Sequence, residues 1–71
     1  MKDYTNSQIM ELINEYIHSE RDRDVLKLRL VDGCRYSVIR DKIEAKYNIP
    51  ITERHIYNII SKNALILEEH L

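Results

Sequence analysis

Within ITERHIYNII, residues 51 to 60, an arginine, a histidine, a tyrosine and an asparagine alternate with isoleucines at helical spacing. On a wheel of roughly 100° per residue, Ile56, Ile59 and Ile60 share one side. Arg54, Asn58 and Ser61 lie opposite, flanked by His55, Tyr57 and Lys62. A guanidinium is a fork that pairs with guanine or with phosphate, and a carboxamide pairs with adenine. That set holds no carboxylate after Glu53, whereas a purely structural helix more often mixes acids and bases on its outer face. Arg54, His55, Tyr57, Asn58, Ser61 and Lys62 are therefore the candidates for contacts to base edges.

Other chemistry finds little to work with. His18, His55 and His70 are far apart in the chain, with no histidine or cysteine partner at metal-ligand spacing, so no metal site is expected. The acid pairs Asp22 with Asp24 and Glu68 with Glu69 fall at helix ends, where solvated carboxylates complement the dipole. Arg35 beside Cys34 could favour a thiolate, but a small residue filling a turn is the better reading. One glycine excludes a glycine-rich phosphate loop. The expectation is a protein that is not an enzyme, with no cofactor and no small-molecule substrate.

A chain of 71 residues supports one core, hence a single domain over 1–71. With 44% hydrophobic and 32% charged residues, one Gly and one Pro, it reads as globular and helical rather than disordered. The lone Cys34 fits a reducing cytoplasm, and no apolar run suits a signal peptide or a membrane span. The net charge of −1 hides a distribution: −2 over residues 1–34, +3 over 35–62 and −2 over 63–71. A modest basic segment thus sits between acidic ones.

Four helices must position these residues. Ile9, Leu12, Ile13, Tyr16 and Ile17 form one stripe of a helix over about 7–18, starting among Thr5, Asn6 and Ser7. Ser19 caps a second over 20–32, with Asp22 three residues on and Gly33 as its stop. Val25, Leu26, Leu28, Leu30 and Val31 make that helix central, and Arg29 near its apolar sector must either reach water or meet an acid. A third covers 36–47 and is broken by Pro50. Thr52 caps a fourth, long helix over 53–69. The fold class is all-α, a small four-helix domain. Past Lys62 the apolar residues spread: Ala64, Leu67 and Leu71 prolong the core stripe, while Leu65 and Ile66 fall off it. Either the helix bends near Asn63, or this end packs on helix one or on another chain, or it is a frayed terminus; Leu65, Ile66, Leu67 and Leu71 are the candidate dimer contacts.

RDRDVLKLRLVDGCRYSVIRDKI followed by PITERHIYNIISKNAL, residues 21 to about 65, resembles the helix-turn-helix module of region four of bacterial sigma factors, in the small free-standing form found among phage and prophage proteins of Gram-positive bacteria. The residues that carry the likeness are Arg23, Val25, Leu26, Leu28 and Arg29, then Gly33, then Tyr36 and Ile39, then Thr52, Ile56 and Ile59. The chain departs from the pattern in having Arg40 where a small residue is usual and KYNIPI in place of a glycine-containing turn, so the segment between helices three and four is longer. The resemblance implies a helix-turn-helix whose last helix enters the major groove, in a transcriptional regulator bound to double-stranded DNA. The start of helix three, with Arg35, Tyr36 and Ser37, would meet phosphate together with Arg40, Lys46 and Thr52. A homodimer would read two half-sites. Two alternatives remain: the same fold binding RNA polymerase, a sigma factor or another phage protein, and a DNA-recognition part of a packaging complex.

Overall fold

The computed structural model describes residues 4–70, and every regular element in that span is helical. Helix α1 runs Asn6–Tyr16, α2 Glu20–Leu26, α3 Tyr36–Tyr47 and α4 Glu53–Glu69. The second helix does not continue as an α-helix to residue 32; it widens into a π-helical turn over Lys27–Val31.

Each start has a sequence cause. The Thr5 hydroxyl accepts from the Gln8 amide while the Gln8 side chain accepts from the Thr5 amide, a reciprocal cap that begins α1 at Asn6. Ser19 and Thr52 cap α2 and α4 by accepting from Asp22 and His55 amides. The first helix stops at Tyr16, two residues before the expected end. Ile17 turns extended, and its carbonyl accepts from the Arg23 guanidinium at 3.1 Å, which removes the need for a further helical turn.

Two joined clusters form the core. Val25, Ile39, Ile43, Ile51, Ile56 and Ile59 make one between α2, α3 and α4. Ile9, Ile13, Ile17, Leu26 and Leu67 make the other between α1, α2 and α4. Adjacent Val25 and Leu26 feed one cluster each and Ile60 packs on both, so α2 is central as its composition suggested. The π turn lets three of its five residues share the work: Leu28 leans on the first cluster, Leu30 and Val31 on the second.

Gly33 ends this element at φ 68, the left-handed conformation that glycine adopts without strain. Asn48 at φ 55 ends α3 in the same way. The connection from 48 to 52 is then pinned: Ile51 is buried, and its amide donates to the Glu44 carboxylate at 3.0 Å. The longer link between helices three and four is thus a plugged extended segment, not an extra helical turn.

The end of α4 packs on α1, one of the arrangements its apolar residues left open: Leu67 is 2% exposed within the α1 cluster and Ile66 packs against the same residues, so Leu67 fills this chain's own core. His70 stacks on Tyr16 with ring centroids 3.6 Å apart, tying that end to α1. Leu65 remains outside, 65% exposed. Leu71 lies outside the described residues.

Candidate nucleic-acid interface

The helix that carries the site is held from below by Ile56, Ile59 and Leu67, all buried, and by a polar residue the apolar pattern did not flag. Asn63 is 5% exposed; its amide donates to the Asp22 carboxylate at 3.2 Å and to the Ile59 carbonyl at 2.8 Å. A signal was present, because Asn63 lies four residues after Ile59 and so falls on the core side of the wheel.

With that side fixed, Arg54, His55, Tyr57, Asn58, Ser61 and Lys62 are all exposed. Neither Arg54 nor Lys62 makes an ion pair among the described residues. Thr52 is exposed as well, and its hydroxyl oxygen is already occupied by the cap.

The start of α3 comes beside this face through aromatic contact. Tyr36 meets Tyr57 edge to face at a centroid distance of 6.3 Å. Arg29 covers Tyr36, 4.7 Å from its centroid, and donates to the Cys34 carbonyl at 3.0 Å. Arg29 thus meets neither water alone nor an acid; a carbonyl and a ring hold it. Cys34 itself is half-buried against the first cluster. Unlike the other three α-helices, α3 begins without a side-chain cap. Arg35 there is exposed, and Tyr36 and Ser37 are half-buried.

Two residues expected at phosphate make ion pairs within the chain. Arg40 pairs with Asp41 at 3.2 Å and reaches across to Glu53 of α4 at 3.0 Å. Lys46 pairs with Asp24 at 2.7 Å, and the Tyr47 hydroxyl donates to the same carboxylate oxygen, joining α3 to α2. Burial opposes the charge of Asp24, but the hydrogen bonds from Lys46 and Tyr47 and the charges of Lys46 and Lys27 outweigh it and hold the carboxyl below its ordinary value. Their own hydrogen bonds to Asp24 raise Lys46 and Tyr47 above theirs. Lys46 therefore belongs to a groove of about 250 Å³ between α2 and α3, lined also by Lys27, Leu28, Lys42 and Ile43.

No group of three or more His, Cys, Asp or Glu residues is placed to hold a metal ion among the described residues. No helix there is long and apolar enough to cross a membrane. No family model, curated protein or solved structure matches the chain.

Proposed function

We propose that this protein binds double-stranded DNA sequence-specifically, as a transcriptional regulator of the phage or prophage type, with α3 and α4 as the two halves of a helix-turn-helix. One observation carries the reading: from Arg54 to Lys62 the outer side of α4 is wholly exposed, polar or cationic, and without an acid. These nine residues of helix span about 13 Å, comparable to a major groove about 12 Å wide. Arg54 and Asn58, one turn apart, present a guanidinium and a carboxamide to base edges. Arg35 and the open start of α3 meet the flanking phosphate, and Lys62 the next.

The internal pairing of Arg40 and Lys46 makes the electrostatic component small. With about three phosphates neutralised, log affinity falls with log salt at a slope near −3. Fluorescence anisotropy of a labelled duplex at low and physiological salt tests this, with Arg54→Ala and Lys62→Ala alongside. Arg54→Ala should cost about 1 to 3 kcal/mol and relax specificity, and Lys62→Ala should weaken all duplexes evenly and flatten the slope by about one. Absence of binding at low salt, or variants that bind as the parent does, would overturn the proposal.

A second reading, a protein-interaction module of the same fold, is favoured by Leu65, the most exposed large apolar side chain among the described residues. A polymerase, sigma-factor or other protein contact centred there would barely respond to salt.

A further inference from the structure

The outer side of α4 has an internal symmetry that DNA contact does not explain. Leu65 and Tyr57 are the two most exposed large apolar side chains among the described residues, at 65% and 54%. They sit eight residues apart on the same helix, with the small Ser61 midway between them. Beyond them lie a cation at one end, Arg54, and an acid at the other, Glu68. Both are exposed and neither makes an ion pair among the described residues. At roughly 100° per residue, Arg54, Tyr57, Ser61, Leu65 and Glu68 all fall within one stripe opposite Ile56, Ile59, Asn63 and Leu67.

We infer that this stripe is self-complementary: two copies of the chain pair their α4 helices antiparallel about a two-fold axis at Ser61, and the pairing covers the face proposed for DNA. An axis there matches residues equidistant from Ser61. Four residues either way, Tyr57 meets Leu65 of the second copy; seven either way, Arg54 meets Glu68. Because the contact is isologous, each pair occurs twice. Ser61 on the axis lets the helices approach to the 8–10 Å of ordinary helix packing. A parallel pairing would instead set Arg54 against Arg54 and Glu68 against Glu68. The next position outward, Glu53 opposite Glu69, is not an unrelieved repulsion, because Arg40 already holds Glu53.

The matched stretch from Arg54 to Glu68 is about 21 Å long. Such a contact stands at the small end of specific interfaces, below about 1,200 Å², so the dimer forms and dissolves with concentration. Its consequence rests on the DNA reading: Arg54, Asn58 and Ser61 cannot face a second copy and a base pair together, so the dimer is the closed form and the monomer the binding form.

Sedimentation equilibrium of the full chain without DNA tests the pairing, on the parent, Leu65→Ser, Arg54→Glu, Glu68→Arg and the double variant Arg54→Glu with Glu68→Arg. Each substituted side chain is exposed, and circular dichroism checks that the fold persists. The parent should self-associate, each single change should weaken association by about tenfold or more, and the double exchange should restore it. A parent that stays monomeric at millimolar concentration, or a double variant no better than the singles, overturns the pairing. DNA anisotropy of Leu65→Ser, at protein concentrations where the parent associates, tests the exclusion separately: affinity above the parent's supports it, and affinity equal to the parent's or lost together with self-association overturns it. Failure of the parent to bind any duplex would refute the DNA reading while leaving the sedimentation result to decide the pairing.

Discussion

Asn63→Ala should be among the most damaging single changes to α4, although it removes no apolar side chain. The carboxamide is 5% exposed and donates to a carboxylate 41 positions away, so it couples α4 to the first turn of α2. A hydrogen bond to a charged acceptor contributes about 1.5 to 3 kcal/mol. The second bond, to the Ile59 carbonyl, adds little, since that carbonyl keeps its partner in the helix ladder. Asp22 is not orphaned by the change: its side chain is 18% exposed and retains Arg21 at 3.2 Å. The expected cost is about 2 to 3 kcal/mol, and at 4 to 8 °C per kcal/mol for a domain this small the melting temperature should fall by roughly 10 to 20 °C. Asn63→Leu should not rescue the loss, because the larger side chain must be fitted into a packed site and still leaves the Asp22 carboxylate without this donor. Urea unfolding followed by circular dichroism, on Asn63→Ala, Asp22→Ala and the double variant, isolates the pair. A coupling of about 1 kcal/mol or more is expected, and strictly additive losses would refute the account.

Stability should fall at both ends of the pH scale through one cluster. The lowered Asp24 carboxyl contributes stability that is present above its unfolded value near about 4 and is lost as pH falls through the folded one; Lys46 and Tyr47, both raised, contribute below about 10 and lose it as pH rises through theirs. Urea midpoints against pH for the parent and Asp24→Asn check this: the variant should lack part of both declines, and parallel curves would refute it. Gly33→Ala should cost about 1 to 2 kcal/mol by thermal unfolding, because a Cβ there meets no neighbour within 4 Å and only the backbone at φ 68 resists. Asn48→Gly, at φ 55, should be neutral within about 0.5 kcal/mol by the same measurement.

The third and fourth helices were legible to the residue, because their limits are local: Pro50 and Thr52 bound α4, and Gly33 closes the element before α3. The limits of α1 were less so. Its start at Asn6 follows from the Thr5 and Gln8 pair, a pattern visible in TNSQ, but its end depends on a guanidinium arriving from α2. The π turn was not legible. Leu28, Leu30 and Val31 crowd more apolar residues into a short span than one 3.6-residue stripe can bury, and the wider turn resolves the crowding by serving two clusters. Within the candidate site, exposure of Arg54, His55, Tyr57, Asn58, Ser61 and Lys62 followed from the isoleucine spacing alone. The ion pairs of two residues in the expected phosphate set were not legible, because pairing of Arg40 with Glu53 and of Lys46 with Asp24 joins residues 13 and 22 positions apart.

That pairing also explains how a chain of net charge −1 can carry a cationic face. Arg21, Arg40 and Lys46 are held by Asp22, Asp41, Glu53 and Asp24, so these charges cancel inside the surface rather than project from it. Arg54 and Lys62 keep their full reach on the one side of α4 that holds no acid until Glu68. The sum of charges is therefore a poor guide, since a ligand meets only those left unpaired. The same placement of Glu68 at the far end of the stripe gives α4 opposite signs at its two ends. On the proposed reading, such a helix would meet DNA along its first half and its own copy along its whole length, with concentration deciding between the two.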